Sequence, residues 1–213
     1  MHRIALLVVV LLLAGAASSA AETLSIVPGI ALEVNLPGQK WQMSRQAPEF
    51  LVRETAEHLE HELADKGKQV DAESLKAEAG KRLAANELFI FNPNSGAVLT
   101  IDFSPLKEKE KAPGDRTLAS SARYAGDSLS SEEGIEGVES KTDRVKVAGA
   151  GSAYRVKASY RQHGDPMKFT GIIGFVEPYW FFFYYTDPLR DPGDAEEMGR
   201  ILDTLVLKPA GGN

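Results

Sequence analysis

Seven aromatic side chains stand in succession at Tyr179-Trp-Phe-Phe-Phe-Tyr-Tyr185. Consecutive residues of a strand point to opposite faces, so a strand carrying this run presents rings on both. Rings bury a large apolar area, and each face then needs a covering layer. The run predicts a central strand in a sheet with further layers on both sides. At 213 residues the chain is long enough for one domain with a sizeable core.

The start of the chain bears on where that domain works. Met-His-Arg3 is followed by an apolar stretch at residues 4–13 and then by Ala14-Gly-Ala-Ala-Ser-Ser-Ala-Ala21. A basic start, a short apolar run and small residues at the cleavage positions make a secretory leader of residues 1–20, cut after Ala20 or Ala21. The apolar run is about half of the roughly twenty residues a spanning helix needs, so no membrane span is expected in the mature chain. The expected location is periplasmic or secreted. The chain has no cysteine, which excludes a lipidated cysteine, disulfides, thiolate catalysis and zinc–thiolate sites. The formal charge of −6 becomes one unit more negative when Arg3 leaves. Such a chain has no general attraction to nucleic acid or anionic lipid.

Patterning divides the rest into elements. Residues 21–29 form an N-terminal segment. Ile30, Leu32, Val34 and Leu36 alternate as in a half-buried strand, ended by Pro37-Gly38, and Trp41 begins a short second segment. Val52, Ala56, Leu59 and Leu63 form one helical stripe; Gly67 stops it, Asp71 caps the next helix, and Leu75, Ala79 and Leu83 line that helix. These make a helical hairpin over residues 51–85. Leu88-Phe-Ile-Phe91 and Ala97-Val-Leu-Thr-Ile-Asp-Phe103 flank the turn residues Asn92-Pro-Asn-Ser-Gly96, a β-hairpin signal. Thr117 is expected to cap a third helix bearing Leu118, Ala122, Ala125 and Leu129, and residues 130–137 to form a loop. Strands then occupy residues 138–186, with turns at Ala148-Gly-Ala-Gly-Ser152 and His163-Gly-Asp-Pro166. Asp194 and Glu197 have capping-box-like spacing ahead of a helix with Met198, Ile201, Leu202 and Leu205 inward. Residues 209–213 read as a flexible tail. The order predicts an α+β class, a single domain over residues 30–208 with a single antiparallel sheet and helices packed on it.

On these residues the chain resembles the PsbP-like and DcrB-like family of α/β/α sandwiches. Leu32-Glu-Val-Asn-Leu-Pro-Gly38 followed by Trp41 is similar to the family's opening strand and Pro-Gly-Trp turn. The helix from Thr117, the strands from Arg144 to Tyr185, and the closing Gly199-Arg-Ile-Leu-Asp-Thr-Leu-Val-Leu207 fall where the family has its helix, central sheet and last helix. The resemblance implies a PsbP-like sandwich and a non-catalytic accessory or binding protein. It transfers no functional residue, because the family has no common catalytic motif.

Several motifs admit chemistry. Gly126-Asp-Ser-Leu129 spells the nucleophile block of GDSL esterases, but it lies mid-chain at a helix end and no Asp-x-x-His follows, so catalysis there is not expected. His58, His61 and Glu62 are near neighbours on the first helix without a third kind of ligand group, and read as a solvated face rather than a metal site. Gly149-Ala-Gly-Ser152 lacks the following helix of a phosphate loop. Asp187, Asp191 and Asp194 lack the EF-hand spacing and read as turn and cap residues rather than calcium ligands. No cofactor, no metal and no catalytic residue is assigned. The aromatic run remains: if one covering layer is incomplete, Tyr179, Trp180, Phe182 and Tyr184 are the candidate ligand or partner surface. A GDSL-type esterase at Gly126–Leu129 is the least favoured function. Two others stand ahead of it. One is an exported, non-catalytic accessory protein of a bacterial cell envelope with a protein partner. The other is a module for a small apolar ligand or lipid. An apolar cavity open to solvent beside Trp180 or Tyr184 favours the second; a filled interface favours the first.

Overall fold

The structure, a computed structural model, describes residues 21–210. The leader expected at residues 1–20 lies outside the described residues. Ten strands and four α-helices follow in the order β1 (Glu22–Val27), β2 (Ile30–Val34), β3 (Gln42–Ser44), α1 (Glu49–Asp65), α2 (Ala72–Leu83), β4 (Leu88–Phe91), β5 (Val98–Pro105), α3 (Asp115–Asp127), β6 (Ile135–Val145), β7 (Ser152–Gln162), β8 (Asp165–Val176), β9 (Tyr179–Asp187), α4 (Asp194–Thr204) and β10 (Val206–Pro209). Among the described residues no helix is long and apolar enough to cross a membrane.

The aromatic strand β9 is the middle of a seven-stranded antiparallel sheet of order β3-β4-β5-β9-β8-β7-β6. Its side chains alternate as the run requires. Phe181, Phe183 and Tyr185 are buried on one face, while Trp180, Phe182 and Tyr184 are half-buried on the other. Each fully buried ring contributes about 2–3 kcal/mol by leaving water.

The expectation of a single sheet is corrected. A second, three-stranded antiparallel sheet of order β1-β2-β10 covers the Phe181 face together with α4. Leu32 and Val34 of β2 and Leu207 of β10 join Ile101, Phe181, Phe183 and Ile201 in one continuous core. The two added strands gave little periodic signal. β1 has one buried residue, Ile26, and β10 is four residues long, ending at a proline. Of the tail expected over residues 209–213, Pro209 pairs with Ile30 and the Ala210 amide donates to the Gly29 carbonyl at 2.9 Å, while residues 211–213 lie outside the described residues.

Other boundaries shift for local reasons. The third helix starts at Asp115 with Gly114 at its N-cap, so Thr117 lies inside it. Residues 135–137 are not loop but the start of β6, which bulges between Glu136 and Glu139 with Gly137 at φ 62°. α1 and α2 pack on each other through Ala56, Leu59, Leu75 and Ala79, and the Asp71 carboxylate accepts from the Ser74 amide at 2.9 Å. The turn at Gly149 stitches the two sheets: Gly149 has φ 84°, and a Cβ there would stand 1.8 Å from the Leu207 carbonyl oxygen. The Leu207 amide donates to the Ala148 carbonyl at 2.8 Å beside it.

Candidate functional site

The second face of the large sheet is covered at its two ends and open between them. At one end Phe50 and Leu51 of α1 and Leu83 of α2 pack on Phe89, Phe91 and Val98. At the other end α3 lies on β7 and β8, where Ala125 and Leu129 meet Val156, Ala158 and Phe169. Gly126 permits that approach, because a Cβ would fall 2.7 Å from Val156 Cγ2. Between these two covers lie Thr100 and Asp102 of β5 and Trp180, Phe182 and Tyr184 of β9. All are half-buried and, by register, on one face.

A cleft of about 640 Å³ opens here. Ile173, Phe182 and Tyr184 form its floor with Phe169, and α3 with the 3-10 turn that follows it supplies a wall from Ser120 to Leu129. Trp180 and Phe182 are parallel to within 4° at 6.2 Å, and Phe182 and Tyr184 are 6.0 Å apart, so three rings run on from the cleft along β9. Burial, reinforced by the Asp102 charge, pushes the Tyr184 phenol up to about 12. Burial raises the Asp102 carboxyl, against a weaker opposing hydrogen bond from the Phe103 amide. It raises Glu87 too, with the nearby Asp102 charge adding to the effect.

Tyr179 does not join this group. It lies on the opposite face, edge-on to Phe103 at 6.4 Å, and its hydroxyl donates to the Pro28 carbonyl at 3.3 Å. Period-two alternation already separates it from Trp180, Phe182 and Tyr184. The sequence reading also missed Asp102. The available signal was a single charge in the β5 run Val98-Leu-Thr-Ile-Asp-Phe103, at the position cross-strand to Phe182.

The remaining motifs are placed elsewhere. Ser128, in a 3-10 turn after α3, lines the cleft but donates to the Ala125 carbonyl at 3.3 Å. Asp127 accepts from Ser140 at 3.4 Å, and His163 lies against Gly134 in the β7–β8 turn. Among the described residues no base is joined to Ser128. His58 and His61 are exposed on α1, while Glu62 pairs with Lys66 at 2.8 Å and Arg82 at 3.7 Å. Among the described residues no three His, Asp or Glu side chains gather to hold a metal ion.

The aspartates after β9 do gather, around a lysine. Lys40 Nζ lies 2.8 Å from buried Asp194, 3.0 Å from Asp191 and 3.3 Å from Glu197. Asn92 donates to Asp194 at 3.0 Å and the Trp41 indole to Glu197 at 2.8 Å. Desolvation lowers the Lys40 pKa, but the bonds to Asp194, Asp191 and Glu197 outweigh it and hold the ammonium well above the ordinary lysine range. The expected capping box is therefore corrected: Gly193 is the N-cap of α4, and Asp194 and Glu197 bind Lys40 and Trp41 instead. The cluster ties the β2–β3 connection to α4.

No family model matches the chain, and no curated protein matches it in sequence. The solved structures similar to the chain include the following two. Cyanobacterial PsbP (CyanoP) from Synechocystis sp. PCC 6803 superposes with a TM-score of 0.52 at 8% identity, over 91% of this chain and 96% of that one. The fold is PsbP-like. LpqN, involved in cell envelope biogenesis of Mycobacterium tuberculosis, gives a TM-score of 0.49 at 12% identity, over 89% of this chain and 91% of that one.

Proposed function

We propose that this chain is an exported, non-catalytic binding protein of the cell envelope that holds a small apolar ligand between α3 and β9. The observation that carries the binding half is the cleft of about 640 Å³ floored by Ile173, Phe182 and Tyr184 and open to solvent. It has the size and apolar lining of a small-molecule site. The export half is supported by the residue pattern of the leader, and the non-catalytic half by the absence of a base on Ser128.

Purified mature chain should enhance the fluorescence of 1-aminoanthracene, an uncharged apolar probe. Ser121→Trp, which fills the cleft from the α3 wall, should abolish the enhancement while leaving the circular dichroism spectrum unchanged. Equal enhancement by the variant, or none by the parent chain, overturns the cleft as a binding site. The protein recovered from an envelope fraction should begin at Ala21 or Glu22; recovery with Met1 intact overturns export by cleavage.

A further inference from the structure

Asp102 pairs across the β5–β9 ladder with Phe182, and Thr100 with Tyr184, so the carboxylate stands on the same face as the three rings. Directly opposed residues in such a ladder have Cβ atoms about 5 Å apart, within contact of a ring. Among the described residues no lysine or arginine pairs with Asp102. Its neighbour Glu87 is a second acid, just before β4; one of its oxygens accepts from the Phe103 amide at 2.9 Å. The two acids are therefore held side by side, partly out of water, at the edge of an aromatic floor; Arg45 acts on Glu87, whereas among the described residues no basic side chain acts on Asp102. The cleft's own lining carries no basic side chain, and the α3 wall offers the neutral hydroxyls of Ser120, Ser121 and Ser128.

A half-buried acid without a counter-charge costs stability in the empty protein. Ring faces and carboxylates share one preference, for a cation. A ligand bringing a positive group to this place gains from both, and an anionic one meets repulsion from both. Building on the cleft proposed above as the binding site, we infer that its ligand is an organic cation: a single ammonium head beside Asp102 over the Trp180–Phe182–Tyr184 row, and an apolar body lying between Phe182 and α3.

The test uses three amphiphiles with one tail, decyltrimethylammonium, decyl maltoside and decyl sulfate, each below its micelle concentration, titrated into the full mature chain by calorimetry. The ammonium compound should bind about ten-fold more tightly than the maltoside, and the sulfate more weakly than either. Asp102→Asn should bring the ammonium compound level with the maltoside. Asp165→Asn, which removes the same charge at the exposed β7–β8 turn, should keep the preference. Equal binding of ammonium and maltoside to the parent chain overturns the cation inference and leaves the apolar cleft standing. A preference that survives in Asp102→Asn assigns it to the overall negative charge and also overturns the inference. Binding of none of the three overturns the cleft itself.

Discussion

Replacing Gly149 with alanine tests whether the stitch between the two sheets holds the small one in place. Gly149 and Gly164 both sit in tight turns at positive φ, 84° and 91°, but a Cβ at Gly164 would meet nothing within 4 Å. Gly164→Ala therefore measures backbone strain alone, about 1 kcal/mol, partly offset by a stiffer unfolded chain. Gly149→Ala carries the same strain and also drives its Cβ into the Leu207 carbonyl oxygen, 1.8 Å away. The oxygen belongs to backbone, so β10 has to move by more than an ångström. That movement breaks the hydrogen bond from the Leu207 amide to Ala148, about 1 kcal/mol. It also loosens the buried Leu207 side chain, about a further 1–2 kcal/mol. The difference between the two variants is then about 2–3 kcal/mol. Urea denaturation followed by far-ultraviolet circular dichroism reads it directly. Equal losses from the two substitutions would refute the argument, because they would show that β10 moves aside at no cost.

Asp102 has a pKa raised by burial, so its neutral form is favoured in the fold. That stabilising contribution is complete below the ordinary carboxylate range and is lost as pH rises through the folded value. Asp102→Asn should accordingly raise the melting temperature at neutral pH, with the gain vanishing near about pH 3, where both side chains are uncharged; a gain that is the same at every pH would contradict the assignment. Asp194→Asn removes the fully buried carboxylate 2.8 Å from Lys40 and weakens the acceptor for Asn92. It should cost about 2 kcal/mol in calorimetry or urea unfolding, and an unchanged stability would mean that Lys40 is held by Asp191 and Glu197 alone.

The middle of the fold was legible because its signals were dense. Seven consecutive rings require two covered faces, and β9 has them. The helical hairpin, the turn at Asn92 and the Asp71 cap each carried a local pattern that the structure keeps. The second sheet was not legible, because its pairing joins β2 to β10 across most of the chain and neither β1 nor β10 has a periodicity of its own. Within the aromatic run, simple alternation puts Trp180, Phe182 and Tyr184 on one face, where they are half-buried, and Tyr179 on the other. Asp102 was hidden in an apolar run, and only the register placing it opposite Phe182 gives it meaning. Lys40 was invisible for the same reason: a lone lysine in a loop says nothing about aspartates some 150 residues away until the loop is laid against α4.

The small sheet also imposes an order in time. Its central strand β2 is flanked by β1 and β10, the first and last strands among the described residues. A chain emerging from a ribosome or a translocation pore has β1 and β2 in hand early but lacks β10 until residue 209 is through. Until then the Phe181 face of the large sheet lacks a third of its sheet cover, α4 having emerged only just before, and long-range pairing of this kind closes slowly. The domain thus locks only once β10 is through, which keeps the preceding chain threadable until then and makes the pairing of β10 with β2 the step that commits it to its folded form.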